Sequence, residues 1–394
     1  MNPAEFTQDS PGRLVRIPEG GHAFIPDPLP LEMSLRPETI KLLSEADRAL
    51  GHLYGIAESL PNPKLVVRPL LRREAELSSR IEGTYATQKD LALFDLHQPA
   101  EPVPPDVKEV ANYVATLELG LKRLREIPIC LRLIRELHLR LLRGVRGNAR
   151  SIGEFRGVQN FIGQRDQPIS EARYVPPPAG ELSQCLDAFE RSLHAENSLP
   201  PLIRLAMIHY QFEAIHPFED GNGRIGRLLL PLLLCEQKLL PHPLLHLSAF
   251  FERYRENYYD HLLRVSQRGQ WQEWIQFFLR AVCDQAQEAS ERSRALLDLR
   301  QKFQEMIRAK RASALAAKLV DYLFTSPAIT VPFAEDLLKV RYPSANLTVQ
   351  RLVKVGILSE ISGQKRNRVW LAQGILRVLS TKEPRTEGTQ PSSK

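Results

Sequence analysis

Cysteine is scarce: the 394-residue chain holds four, at 130, 185, 235 and 283. They lie too far apart for a CxxC pair or any zinc spacing, so neither a disulfide framework nor a zinc module is expected, and they are read as buried apolar residues. Long apolar runs are also missing. The longest, Leu228 to Cys235, is far short of the roughly 20 residues that a membrane span requires. The first dozen residues, MNPAEFTQDSPG, are polar and hold no apolar stretch of the kind a secretory signal needs. A soluble, cytoplasmic chain with no membrane partner is the expectation.

What is present is ordinary globular material, with 43% hydrophobic and 25% charged residues. At this length two or three domains are expected. The net charge of +7 is unevenly placed: residues 301–394 carry 16 Lys/Arg against 7 Asp/Glu, leaving the first 300 slightly acidic. Any role in binding nucleic acid or an acidic partner therefore belongs to the C-terminal segment.

Periodicity predicts a mainly α fold. Residues 1–30 read as an extended lead-in and 36–97 as helical, with a second helix from about Leu65 to Arg80. The segment EPVPPD at 101–106 reads as a linker in which Asp106 is a candidate N-cap. Helices are then expected at 107–126, 129–144, 179–195, 200–214, 223–238, 253–267 and 270–290. Between Gly153 and Pro178, alternation at Val158, Phe161, Ile162, Tyr174 and Val175 predicts a β-hairpin whose exposed edge could recruit an extended peptide. Another helix is expected over 295–325, then helices at 332–340 and 344–356. A hairpin of Ile357–Ile361 with Arg368–Leu371 follows, completing a winged-helix arrangement. The tail from Thr381 reads as disordered. The implied domains are 1–100, 101–292, 293–380 and a tail 381–394.

The chemistry concentrates in His216-Pro217-Phe218-Glu219-Asp220-Gly221-Asn222-Gly223-Arg224-Ile225-Gly226-Arg227. A Gly-Asn-Gly turn feeding the N-terminus of an apolar helix leaves backbone N–H groups free to cradle an anion. Asp220 stands where one carboxylate could share a Mg²⁺ with phosphate oxygens. Arg224 and Arg227, three apart, share a helix face and suit phosphates. His216 alone in the stretch can take up a proton near neutrality. Asp-Gly-Asn-Gly by itself would be read as a surface turn; with His216 and two arginines in register it reads as phosphate binding plus a general base. His209, on an apolar face, reads as a core histidine.

This stretch resembles the Fic signature HxFx(D/E)GNGRxxR, with every fixed position filled. The resemblance implies a Fic helical core with a β-hairpin flap, and transfer of AMP from ATP, with Mg²⁺, to a Ser, Thr or Tyr hydroxyl on a target protein or on the chain itself. It implies that His216 takes the hydroxyl proton and that Asp220 holds the metal. Residues Gly221, Asn222, Gly223, Arg224, Ile225, Gly226 and Arg227 would form the nucleotide-binding stretch, the glycine amides on the α- and β-phosphates and the arginines on the outer ones. Ile162 and Gly163 of the flap would lie near nucleotide and target, and Tyr259 in ENYYDHL would line the adenine pocket, although packing is as common a role for such tyrosines. Ser78-Ser79-Arg80-Ile81-Glu82-Gly83 resembles the family's (S/T)xxxE(G/N) inhibitory motif, placed as in class II members, so that Glu82 would pair with Arg227 in place of a γ-phosphate. Two other functions stay open: removal of AMP by the same site, and a DNA-binding regulator with a nucleotide-sensing core. The winged helix could contact DNA, through Lys365, Arg366 and Arg368, or protein.

Overall fold

The structure, a computed structural model, describes residues 1–96, 103–145, 151–163, 167–196, 198–309, 314–364 and 366–380. Lys365 and the tail from Thr381 lie outside the described residues. The chain divides into two compact units, Met1–Ser293 and Arg294–Lys394.

The first unit opens with an element the sequence reading missed. Strands β1 (Gly12–Arg16) and β2 (His22–Pro26) pair antiparallel from Gly12↔Pro26 to Arg16↔His22. The connection turns at Gly20 and Gly21, both at positive φ, which glycine reaches without steric cost. Each strand is only five residues long, and β2 buries Ala23, Phe24 and Ile25 in succession, so the period-2 signal is absent.

Helices follow: α1 (Pro37–Glu58), α2 (Lys64–Ile81), α3 (Gln88–Phe94), α4 (Pro105–Arg123) and α5 (Leu131–Leu141). Gly83, at φ 82°, turns the chain off the end of α2 and leaves Glu82 as its C-cap. Asp106 is not the N-cap of α4, because Pro105 starts that helix with its fixed φ; the carboxylate instead accepts the Tyr85 N–H at 3.0 Å.

Beyond α5 the expected two-strand hairpin contracts to one antiparallel bridge, Ile162 with Tyr174, exchanging bonds of 2.8 and 3.2 Å. The missing rungs have identifiable causes. Pro176, Pro177 and Pro178 have no N–H to donate. The Val158 and Pro177 carbonyls accept from Arg156, and the Val175 carbonyl accepts from Phe24 of β2.

The core of the unit is α6 (Ala179–His194), α7 (Pro201–Ile215) and α8 (Asn222–Glu236), the last two buried along nearly their whole length. The helix expected at 253–267 is α10 (Arg255–Arg268), and a short helix that was not expected, α9 (Ser248–Arg253), precedes it, the two separated at Tyr254, whose φ of −112° and ψ of 43° lie outside the helical region. α11 (Trp271–Ala309) runs well past its expected end, so the helix expected over 295–325 is shared between α11 and α12 (Ala314–Thr325). Trp274 is fully buried and donates its indole N–H to the Ala206 carbonyl at 2.9 Å.

In the second unit α12 leads to β3 (Ala328–Ile329), α13 (Val331–Leu338), α14 (Tyr342–Lys354), β4 (Ser359–Glu360), β5 (Trp370–Leu371) and α15 (Gln373–Ser380). The sheet order is β3-β5-β4, all antiparallel. The expected hairpin is thus shorter than its apolar run and gains a third strand, while α15 had no counterpart in the sequence reading. Gly356, at φ 77°, ends the third helix as expected.

All four cysteines are free thiols, and only Cys185 is fully buried rather than all four. Among the described residues no helix is long and apolar enough to cross a membrane.

Replacing Trp274 by Ala removes the largest fully buried side chain and, with it, the indole bond to the Ala206 carbonyl. The first unit should lose about 3–5 kcal/mol, read by urea unfolding with far-UV circular dichroism. A loss under about 1 kcal/mol would mean that the helices collapse onto the vacated site.

Candidate active site

α7 ends where Pro217 forbids a further helical turn, and His216 caps it in the left-handed region at φ 48° and ψ 62°. A non-glycine residue held there stores backbone strain, which the surroundings must over-determine. Arg156 does much of that. Buried to 2% exposure, its guanidinium donates to the carbonyls of His216 (2.9 Å), Ile215 (3.4 Å), Val158 (3.1 Å) and Pro177 (2.6 Å). Its own backbone N–H donates to Pro217 O at 2.9 Å. Burial pushes this guanidinium down to about 10, so it remains a cation at neutral pH.

The next residues are pinned as firmly. Phe218 is fully buried, stacked on the His138 ring with centroids 3.8 Å apart. The Asn222 amide closes the turn by accepting from Phe218 N and donating to Phe218 O, both at 2.8 Å. His138 accepts the Gly153 N–H on Nδ1 at 2.9 Å, which assigns its proton to Nε2 and makes that atom the donor to Asp220 O at 3.0 Å. Gly221, at φ 78°, is the N-cap of α8.

These contacts leave His216 facing a cavity of about 600 Å³ together with Glu82, Ile162, Gly163, Glu213, Asp220, Gly223, Arg227 and Tyr259. His216 Nδ1 lies 3.4 Å from Glu213 O, so the proton sits on Nδ1 and Nε2 is the basic nitrogen. Burial, with Arg156 nearby, pushes His216 down to about 4, and it is therefore neutral at pH 7. Asp220 is exposed and accepts the Gly221 N–H at 2.6 Å. Among the described residues no cluster of three metal-ligating side chains exists. The exposed Asp220 carboxylate at this cavity, 3.6 Å from Arg224, still fits Mg²⁺, which takes one or two protein carboxylates and completes its shell with substrate oxygens and water.

Arg227 is 1% exposed, yet its guanidinium reaches this cavity. Nε donates to Ser78 Oγ at 2.9 Å, and Nη2 donates to Ser78 O at 3.0 Å and to Glu82 Oε1 at 2.7 Å. Burial alone would raise the Glu82 carboxyl, but the charge and hydrogen bond of Arg227, with Arg224 and His216 beyond, outweigh it and hold Glu82 below the usual range. Gly223 makes this approach possible: a Cβ there would sit on the Glu82 carboxylate and 2.8 Å from Arg227 Nη1.

Not every residue of the motif faces the cavity. Arg224 is turned to Glu109 of α4, at 2.9 Å, and Glu109 also accepts from Thr84 at 3.1 Å. Asn222 spends its side chain on the turn, Ile225 is fully buried, and Gly226 packs against Glu213 and Phe212. Gly221 is also outside the cavity lining. These five shape the helix start, and Arg224 stands between two carboxylates, with Nη1 on Glu109 and Nη2 3.6 Å from Asp220. His209 is a core residue as expected, bonded at Nε2 to Tyr258 OH (2.8 Å) and pushed to about 3 by burial. Tyr258 is buried with it, whereas Tyr259 faces the cavity with the Arg173 and Arg255 guanidinium groups 6.0 and 5.8 Å from its ring centre.

Four contributors escaped the sequence reading: Arg156, His138, Glu109 and Glu213. The first three lie 60 or more residues from the motif residues they hold, His216, Asp220 and Arg224, and carry no local spacing. Glu213 did carry a signal, as the one acidic residue on the apolar helix α7.

Residues 40–122 match the family described as Fic/DOC family N-terminal, and 128–234 match the Fic/DOC family. The chain is 32% identical over 175 residues to the protein adenylyltransferase Fic of Drosophila yakuba, covering 42% of this chain and 31% of that one. It is 34% identical over 153 residues to the Culex quinquefasciatus protein of the same name, covering 38% and 27%. The chain thus matches about a third of the length of these curated relatives. A crystal structure of a Fic family protein from Desulfovibrio desulfuricans G20 shares the fold, with a TM-score of 0.56 at 20% identity over 87% of this chain and 98% of that one.

Buried His209, His216 and His246 are depressed from 6.5 to about 3, 4 and 3 by loss of solvation. Each contributes stability that is complete above the unfolded value and is lost as pH falls towards the folded one. Glu213, raised from 4.5 to about 7 mainly by burial, acts in the opposite sense and stabilises below the unfolded value. With three such histidines against it, the melting temperature should fall between pH 7 and 4.5, and His216→Gln should make the fall shallower. Parallel curves for wild type and variant would mean that His216 is not a buried neutral group.

Proposed function

We propose that this Fic-domain chain is a nucleotidyltransferase that moves AMP from ATP to a Ser, Thr or Tyr hydroxyl on a protein, and that Glu82 holds it in check. The observation that carries the proposal is the 2.7 Å Arg227–Glu82 ion pair inside the cavity that His216 faces. An inhibitory carboxylate on the one cavity-facing arginine of the motif makes sense only where that arginine otherwise meets an anion.

His216 Nε2 takes the proton from the target hydroxyl, whose oxygen bonds to the α-phosphorus as the bond to the pyrophosphate breaks. A base at about 4 is weak, but the negative charge of a bound triphosphate raises it towards the range in which proton transfer is effective. Asp220 would hold Mg²⁺, which neutralises charge on the departing pyrophosphate. The Gly223 end of α8 offers its backbone amides and positive dipole end to the phosphates, and Arg227, once released from Glu82, takes the outermost one. Arg224 serves as a buttress tied to Glu109. Tyr259 offers a ring face for the base, and the Ile162–Tyr174 bridge beside the cavity offers an edge for the segment bearing the hydroxyl.

Removal of AMP by the same site is a second reading, favoured by one observation: Glu82 is 34% exposed and lines the cavity, where it could orient a water for attack on a phosphodiester. In the second unit, α12–α14 with β3–β5 read as a winged helix, and the excess of cations there suits a contact with DNA or an acidic protein.

Incubating the protein with ATP labelled in turn at the α- and γ-phosphate separates AMP transfer from phosphorylation. His216→Ala should lower incorporation of the α-label by about 10²–10⁴-fold while ATP still binds; transfer at the wild-type rate would refute the assignment.

Freeing Arg227 should do the reverse. Glu82→Gly is expected to speed self-modification at least about tenfold, equivalent to about 1.4 kcal/mol of barrier, and Arg227→Ala in the same chain to erase most of that gain. No acceleration in the single variant would remove the inhibitory role. A slower release of AMP from a modified target would favour the hydrolytic reading.

A further inference from the structure

Arg227 has the carboxylates of Glu74, Glu82 and Glu213 within its field, and only Glu82 bonds to it. Glu82 takes Nη2 at 2.7 Å, while Ser78 takes Nε and shares Nη2. Glu213, on α7 one turn before His216, lines the same cavity, and its Oε1 is buried without any hydrogen-bond partner among the described residues. The α8 backbone passes so close that a Cβ on Gly226 would overlap that oxygen. An unpartnered carboxylate oxygen beside a fully buried arginine is costly if ionised and unsatisfied, and nothing in the interior needs it there.

We propose that Glu213 is a phosphate-binding residue that acts as a neutral carboxylic acid, donating its O–H to the outer phosphates, so that nucleotide enters the cavity together with one proton. This rests on the nucleotidyltransferase reading and adds the regulation of that site by pH.

The groups that face Glu213 set the sign. From α8 comes one cation, Arg227; from the end of α2 one anion, Glu82; from α7 itself the neutral His216; from α10 Tyr258, whose hydroxyl is held by His209, with Tyr259 beside it. Burial first, then Glu82, push Glu213 up to about 7 against the pull of Arg227, so the acid and carboxylate forms are nearly balanced at neutrality. A triphosphate that displaces Glu82 from Arg227 brings more negative charge than the carboxylate it replaces. The ionised form of Glu213 then meets repulsion, whereas the protonated form offers a short O–H···O⁻ bond. Its acidity therefore weakens further on binding, a proton is taken up between the free and bound values, and affinity is highest below about pH 7 and falls as pH rises above it.

Isothermal titration of the full-length Glu82→Gly protein with Mg²⁺ and the non-transferable α,β-methylene analogue of ATP, in two buffers of different ionisation heat at pH 7.5, counts the protons directly. Glu82→Gly should take up a large fraction of a proton per nucleotide and bind severalfold more weakly at pH 8.5 than at pH 7. Adding Glu213→Gln, which keeps a donor but cannot titrate, should abolish the uptake and flatten the pH profile while binding persists. Should the Gln variant unfold, Glu213→Ser serves the same comparison, and the uptake in Glu82→Gly alone already decides whether a proton enters. Binding with no uptake in Glu82→Gly, or with equal uptake after Glu213→Gln, overturns the inference alone. No binding at any pH overturns the nucleotidyltransferase reading with it.

Discussion

A guanidinium at 1% exposure cannot be left without oxygen partners, and much of the first unit is arranged to supply them to Arg227. Ser78 comes from the last turn of α2 and Glu82 from the cap of that helix, so the end of one helix supplies the hydrogen-bond acceptors for the cation carried by α8. Burial is the largest single influence on the Glu82 carboxyl, and it takes the charge and hydrogen bond of Arg227 together with Arg224 and His216 to overcome it and keep the group ionised. Because the cation is permanent, the anion opposite it is exchangeable. A carboxylate from the chain and a phosphate from solution are both oxygen anions that a guanidinium fork can hold, and the proposed function turns on exchange between them.

Around that pair the motif loop is held by backbone bonds more than by side-chain packing. The left-handed His216, the Asn222 clamp on Phe218 and the carbonyls gathered by Arg156 make a rigid turn before any ligand arrives. Preorganisation of this kind is what positional catalysis needs, since reacting groups displaced by an ångström lose rate steeply. The flap across the cavity is tethered at two heights: Tyr174 bonds Ile162 within it and donates its hydroxyl to Ala214 of α7 at 2.9 Å, while Phe24 of β2 takes the carbonyl of Val175. Among the described residues Ile162–Tyr174 is the one bridge in the flap.

The legible parts of the molecule are those encoded locally. Residues 216–227 state their chemistry because glycine, asparagine and arginine at fixed offsets in one turn have few other uses, and Glu82 was found through a short motif at the end of a helix. Helices with a clear apolar stripe, such as α4 and α6, were legible to within a few residues. Arg156 and His138 were not, because their partners are backbone carbonyls and amides far away in sequence, which no spacing announces. The Arg224–Glu109 pair was not legible for the same reason: Glu109 sits on α4, 115 residues away, and no spacing links the two. The β1–β2 hairpin was missed because its buried strand does not alternate.

Gly223 gives the site an asymmetry that reaches beyond the chemistry. Its bare Cα is what lets the Glu82 carboxylate and the Arg227 guanidinium meet at the start of α8. A Cβ at 223 would lie on that carboxylate and 2.8 Å from Arg227 Nη1, so any side chain there presses on both partners of the ion pair at once. A change at Glu82 removes one partner and leaves the other in place. The pair can thus be dissolved in a single step from the α2 side, whereas from the α8 side it cannot be altered without disturbing the helix start that carries the cation.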